Sequence, residues 1–188
     1  MVRLCWFILF CGLFSQFSIN NKPSKVETVD GVAAIVEAYQ PSGFDFNYRP
    51  QLHNDKKVSQ LLFQEIGKNV DINFVSFDDV KEFFDIKTPY EVFEILNDKK
   101  NLILTRYKDS IIFKNKQQEI KTVKVPHGKV VDTTAAGDAF NGSFLALINN
   151  DKNIPIVENI LKSHSVTREV IKHKGAIISN KNMPKINT

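Results

Sequence analysis

The chain is poor in cysteine: Cys5 and Cys11 are its only two, and both fall in the N-terminal apolar stretch. That excludes a disulfide framework and, with no C-x-x-C pair, a thiolate metal centre. The four histidines, His53, His127, His164 and His173, stand too far apart in sequence to supply Cys/His zinc spacing. A reducing, cytoplasmic compartment is the expectation that follows. Charge of one sign is also short: 25 basic against 21 acidic residues leave a net charge of +4. The lysines are scattered, and pairs such as Lys56-Lys57 and Lys99-Lys100 read as solvated loop edges. No basic stripe marks a nucleic-acid partner. Internal repeats and low-complexity segments are absent, and tryptophan occurs once against fifteen phenylalanines. That imbalance points to an AT-biased coding history and to no function.

A long apolar run is missing too, with one short exception. MVRLCWFILFCGLFSQFSIN opens the chain with a basic residue, Arg3, and then an apolar run of signal-peptide length. It is too short and too interrupted for a membrane span, and no membrane partner is expected. A phenylalanine spoils the FSQFS cleavage site, and Phe10 before Cys11 spoils a lipoprotein signal. A buried parallel strand also reads as a continuous apolar run. Composition alone leaves both readings standing.

What is present is a soluble composition, 43% hydrophobic and 24% charged, over 188 residues, enough for one domain with a real core. Residues 20–30 are loop-like and 31–39 (GVAAIVEAY) have helix-forming content. PSGFDFNYRP (41–50) makes a turn and a short strand. Residues 53–70 carry Val58, Leu61, Leu62 and Ile66 at helical spacing, with Gly67 suited to a C-cap. INFVSF (72–77) is a strand, and DDVKEFFDI begins a helix with acidic residues in its first turn. A helix over 89–98, a hairpin of 101–107 and 110–115 across Lys108-Asp109, and a strand at 119–126 follow. Helices over 136–150 and 154–174 complete the pattern, with Gly175 ending the second and AIIS (176–179) as a last strand. Strands alternating with helices imply an open α/β sheet, parallel in its core with antiparallel additions at one edge. Ligands in such folds bind beyond the carboxyl ends of the strands.

VDTTAAGDAFNGSF (131–144) lies where a helix begins. Small residues at Ala135, Ala136 and Gly137 let a ligand approach the backbone, and the helix's first turn offers unpaired N–H groups at a positive dipole end. Asp138 in that turn has the chemistry to take a proton from an attacking hydroxyl. The same residues also read as a plain helix start, with Asp132 or Thr134 as cap and Asp138 complementing the dipole. The residue types alone support either reading.

DTTAAGDAF resembles the C-terminal signature of the ribokinase-like carbohydrate kinases, Asp-Thr-x-Gly-Ala-Gly-Asp, with Ala135 where most members have glycine. The DTTAAGD spelling is similar to that of the 2-keto-3-deoxygluconate kinases, and three further segments agree with that branch. FDFNYRPQL (44–52) is similar to its Phe-Asp-x-Asn-Tyr-Arg-Pro-x-Leu motif. VSFDDVKEFF (75–84) resembles its replacement for an Asn-x-x-Glu motif, and VIKHKGAIISNKNMP (170–184) matches its C-terminal end. The resemblance implies a Rossmann-like, mostly parallel sheet flanked by helices. It implies transfer of a phosphoryl group from ATP, with Mg²⁺ and in some members K⁺, to a sugar acid, giving the 6-phosphate. By it Asp138 is the general base, the backbone of Ala135, Ala136 and Gly137 the anion hole, and Asn47 and Arg49 the substrate contacts. Gly175 and Ala176 border the nucleotide, and Asp78 and Asp79 fall where a Mg²⁺-associated acidic motif is expected.

Two departures accompany the resemblance. Members carry a Gly-x-x-Gly-like turn near the nucleotide, and TRYKDS (105–110) has no glycine. The matching motifs also all belong to the second part of such a kinase, and the lid and Gly-Gly sugar motif of the first part are not found. Residues 6–19 are then expected to be a buried strand of the shortened domain rather than a signal. Residues 21–188 are expected to be the C-terminal part of the kinase domain, working alone or beside a separately encoded N-terminal half.

Overall fold

The structure is a computed structural model and describes residues 16–18, 26–29, 32–35, 42–49, 51, 55–96, 101–179 and 181–184. The expectation of a buried strand over residues 6–19 lies outside the described residues except at 16–18. The chain divides into two compact units, Met1–Thr122 and Val123–Thr188.

The first unit is built on a sheet. Its strands are β1 (Gln16–Ser18), β4 (Ser42–Asp45), β5 (Ile72–Ser76), β6 (Leu102–Tyr107), β7 (Ser110–Lys114) and β8 (Ile120–Lys124), the last running across the division between units. They lie in the order β1-β4-β5-β6-β7-β8. β4, β5 and β6 are parallel, with Asp45 opposite Phe74 and Ser76 opposite Arg106. β1 joins β4 antiparallel and β7 joins β6 antiparallel. Antiparallel strands therefore flank the parallel core on both sides, and the one described part of the N-terminal stretch is antiparallel rather than a parallel core strand. A separate antiparallel pair joins β2 (Val26–Val29), in the segment expected to be a loop, to β3 (Val32–Ile35), in the segment expected to be helical. Val29 pairs with Val32 across Asp30-Gly31, and that dipeptide is a strong hairpin signal which outweighs the alanines' helix propensity.

Helix α1 (Lys56–Asn69) is started by Asp55, whose carboxylate accepts from the amides of Lys57 and Val58 at 2.8 and 3.1 Å. It buries Phe63 and Ile66, while Val58 and Leu61 of the expected apolar face are exposed. Gly67 does not end the helix; Val70 caps it. Gly67 is a packing glycine, as a Cβ there would stand 2.8 Å from Leu96 Cδ2 and 3.0 Å from Phe46 Cζ. Phenylalanine forms the heart of the unit. Phe44, Phe46, Phe63 and Phe83 are fully or almost fully buried, with ring centroids 4.6 Å apart for Phe44–Phe46 and 5.0 Å for Phe63–Phe83. Such ring pairs are worth about 0.5–1.5 kcal/mol each beyond their buried area.

The helix expected from Asp78 onward is only one turn, α2 (Phe77–Val80). Asp85 adopts a left-handed φ of 55°, and the Ile86 amide donates to the Lys81 carbonyl at 2.9 Å, the closure of a Schellman stop made without glycine. α3 (Glu91–Ile95) is anchored by Glu91, whose carboxylate accepts from the Thr88 amide at 2.7 Å and its hydroxyl at 2.9 Å.

The second unit pairs α4 (Ala136–Asn150) with α5 (Ile156–Val170). Asn159 is wholly buried between them; its amide donates to the Phe144 carbonyl at 3.1 Å, and Ser163 donates to Asn159 Oδ1 at 3.0 Å. α5 stops at Ile171, short of Gly175, because the backbone turns back through the His173 amide to the Val170 carbonyl. Residues 176–179 form no strand, and Ile177 is 93% exposed.

Candidate functional site

Two groups of expected site residues sit in the two units. In the first unit they stand at the carboxyl ends of the parallel strands. Asn47 and Arg49 follow β4, Asn47 half-buried and Arg49 exposed. The Phe46 amide donates to the Phe74 carbonyl at 3.0 Å, and Tyr48 stacks on Phe83 with centroids 4.0 Å apart, so this segment is pinned by the aromatic core. Asp78 and Asp79 follow β5 in the exposed turn of α2, and Asp78 is paired with Lys81 at 3.0 Å. Asp79 stands beside it on the same exposed turn. Among the described residues no three His, Cys, Asp or Glu side chains come close enough to hold a metal.

Arg106, which the sequence reading passed over, is exposed at the end of β6 and reaches Ser76 Oγ at 3.5 Å. A lone cation at the end of an apolar strand was its only signal. The hairpin turn after it forms at Lys108-Asp109 as expected, with Lys108 at a φ of 52° in place of glycine. The Lys108 ammonium lies 4.9 Å from the Tyr107 ring centroid.

In the second unit the signature residues 135–138 form the N-terminus of α4. Ala135 is the N-cap, with no side-chain cap bond, so neither Asp132 nor Thr134 caps the helix. The first-turn amides of a helix have no intrahelical acceptor and carry its positive end. Gly137 and Asp138 stand exposed there, while Ala135 and Ala136 are buried. Ala135 has φ −105° and ψ 15°, a conformation open to any residue, and its methyl belongs to a cluster with Val166 and Val170. That is why alanine serves where the signature usually has glycine.

Asp132 does something else. Its Oδ1 accepts from the Thr134 amide at 2.9 Å and the Thr134 hydroxyl at 2.6 Å, and its Oδ2 accepts from the Gly175 amide at 2.9 Å. These bonds, the Thr134 hydroxyl first, hold its carboxyl at about 2, below the usual 3.8. Gly175, at φ 90°, is therefore an amide donor to the signature loop and not a helix cap. The structure thus brings the signature loop together with the Gly175-Ala176 segment. Among the described residues no helix is long and apolar enough to cross a membrane.

The sequence comparisons agree with this arrangement. The chain is 33% identical over 167 residues to a 2-dehydro-3-deoxygluconokinase of Haemophilus influenzae, covering 87% of this chain and 52% of that protein. It is 32% identical over 147 residues to the enzyme of the same name from Escherichia coli, covering 75% and 47%. The chain thus spans about half the length of these curated relatives. A crystal structure of Vibrio cholerae fructokinase, in a form binding fructose, ADP and calcium, superposes with a TM-score of 0.62 at 19% identity, covering 71% of this chain and 45% of that one. At that identity the likeness speaks for the ribokinase-like fold alone. The family model for pfkB family carbohydrate kinases matches residues 7–183, nearly the whole chain, and the chain belongs to that family.

Proposed function

We propose that the chain carries the phosphoryl-transfer part of an ATP-dependent sugar-acid kinase, which converts 2-keto-3-deoxygluconate to its 6-phosphate. The observation that carries this is the start of α4, where Asp138 stands exposed in the first turn directly after Ala135, Ala136 and Gly137. Asp138 takes the proton from the primary hydroxyl as that oxygen bonds to the γ-phosphorus and the bond to ADP breaks. The amides of Ala135 and Gly137, with the helix dipole behind them, meet the charge on the phosphoryl oxygens, while that of Ala136 donates to the Thr133 carbonyl at 3.0 Å. Asn47 and Arg49 bind the sugar acid, where Arg49 offers a fork of donors to a carboxylate. Gly175 and Ala176 border the nucleotide. Mg²⁺ enters with ATP and would neutralise phosphate charge, with Asp78 and Asp79 as the carboxylates proposed to meet it. K⁺ is left to be tested by its replacement in the assay buffer. The compartment that fits this chemistry is the cytoplasm.

ADP release in the presence of 2-keto-3-deoxygluconate, compared between wild type and Asp138→Asn, tests the reading. Loss of a general base lowers turnover roughly 10²- to 10⁴-fold. Equal rates in the two proteins would refute the base. Fructose and ribose in the same assay identify the acceptor. A second form of the same reading has the sugar oriented only when a separately encoded N-terminal half is present. Adding that half of a relative to the assay then raises the rate, whereas a non-catalytic remnant stays silent.

A further inference from the structure

We propose that a groove between the loop ahead of α3 and the β6–β7 turn binds a small phosphate monoester that carries a ring. Lys87 and Lys108 meet the phosphate, and Tyr90 meets the ring. The groove has a volume of about 370 Å³, and its lining includes Lys87, Tyr90, Tyr107, Lys108, Ser110 and Thr122. That volume falls in the range of small-molecule sites, about 300–1,000 Å³. All of these residues belong to the first unit, so the inference does not rest on the reading of α4 as the start of a phosphoryl site.

Both walls are fixed without a ligand. On one side Glu91 Oε1 accepts from the Lys87 amide at 3.1 Å and from the Thr88 amide at 2.7 Å, which pins the backbone that carries Lys87. On the other side Tyr107 pairs with Ser110 across the two-residue turn, and Phe77 meets the Tyr107 ring edge-on at 5.2 Å. Lys108, in that turn, holds a left-handed φ of 52°, and its ammonium lies 4.9 Å from the Tyr107 ring centroid. A cation–π contact at an exposed site is weak, so an anion readily takes the ammonium from it. Among the described residues neither Lys87 nor Lys108 is in an ion pair. Tyr90 packs on Phe93 with centroids 6.5 Å apart and still keeps 50% of its surface exposed, a ring face on which a ligand can stack.

Charge selects the ligand. A phosphate monoester carries about −1.5 to −2 at pH 7, which two ammonium groups match. A single carboxylate would leave one ammonium unmatched. A polyphosphate would bring further negative charge beside Asp109, which lines the same groove. The exposed Thr122 hydroxyl offers a donor and an acceptor to polar groups on the ring. A sugar phosphate and a nucleoside monophosphate share this chemistry.

Glucose 6-phosphate and AMP, each titrated into the full chain while the amide resonances of Lys108, Ser110 and Thr122 are followed, distinguish the two sources. At least one of them is expected to shift those amides saturably, with a Kd of roughly 1 mM or tighter. Amides of α5 serve as the internal control. Lys87→Gln and Lys108→Gln are each expected to weaken that binding roughly tenfold. Both lysines are exposed, so the fold is expected to survive either change. Tyr90→Ser is expected to weaken the ester roughly three- to tenfold and to leave inorganic phosphate little changed. The absence of a saturable shift with either ester overturns the proposal. So does ester binding that survives both lysine variants, or inorganic phosphate that binds as tightly as the esters. ADP that shifts the same amides at lower concentration than AMP makes the groove part of a polyphosphate site, and this too overturns the proposal.

Discussion

Replacing Gly67 by alanine separates helix propensity from packing in a single methyl group. On propensity alone, alanine in a helix gains about 1 kcal/mol over glycine. Gly67, however, lies in the last turn of α1 with its Cα against three neighbours at once. The new Cβ would stand 2.8 Å from Leu96 Cδ2, 3.0 Å from Phe46 Cζ and 3.1 Å from Asn73 Oδ1. Leu96 and Phe46 are each only 1% exposed and have little room to retreat. Overpacking of this kind costs about 1–3 kcal/mol. A second cost comes from the Gly67 carbonyl, one of the helix's last and so without an intrahelical donor. It accepts from Asn73 Nδ2 at 2.8 Å and Asn101 Nδ2 at 2.7 Å, both buried. Any retreat of the helix stretches those two bonds, each worth about 1 kcal/mol. The net expectation is a loss of about 1–3 kcal/mol. Urea unfolding followed by circular dichroism should show a midpoint lower by about 1 M at unchanged slope, given slopes of about 1–3 kcal/mol/M. A midpoint equal to or above wild type would refute the close approach of α1, Leu96 and Phe46.

Two further expectations follow from the same contacts. Phe63→Ala removes the ring that meets Phe44 at 5.7 Å, Phe46 at 5.4 Å and Phe83 at 5.0 Å, and should cost about 3–5 kcal/mol in the same urea experiment; a loss below about 1 kcal/mol would mean the cluster is not the unit's core. For pH, the folded carboxyl of Asp132 at about 2 lies below its ordinary 3.8, so the unfolded chain binds the proton more tightly and stability rises with pH across that window. The contribution is full above about pH 4 and lost as pH falls through about 2; acid titrations of wild type and Asp132→Asn should therefore converge at low pH, and a difference that persists below pH 2 would refute the assignment.

Much of this was legible in the sequence, and the parts that were not have identifiable causes. The bounds of α4 and the β6–β7 hairpin follow from strong local signals, an apolar helical run in one and two β-rich runs about a polar pair in the other. The four motifs between residues 44 and 184 pointed to a family whose model matches residues 7–183. Misreadings came where one residue type serves several purposes. Gly67 looked like a cap because packing glycines and capping glycines have the same letter. Val58 and Leu61 fitted the helical period, yet the buried face of α1 is set by Phe63 and Ile66. The turn after α2 closes with Asp85 accepting a left-handed φ, which no propensity scale announces. Asp132 was weighed only as a helix cap, since its true partner is 43 residues away.

The departure at Ala135 takes on a different meaning once its surroundings are known. In the sequence it served as a mark of the sugar-acid branch, which treats the residue as a consequence of substrate. Its φ of −105° asks nothing of glycine, and its methyl is buried with Val166 and Val170 of α5. At such a position alanine stabilises relative to glycine by about 0.4–1 kcal/mol, mainly by narrowing the unfolded ensemble. The methyl therefore stiffens the start of α4 from the side of α5, and no contact with a sugar is needed to explain it. On the proposed kinase reading, substrate choice is then to be sought elsewhere, at exposed Arg49 and half-buried Asn47 after β4 and at exposed Arg106 at the end of β6. These follow strands that pack on the aromatic core, so substitutions at the three positions are expected to change charge and reach while leaving that core intact.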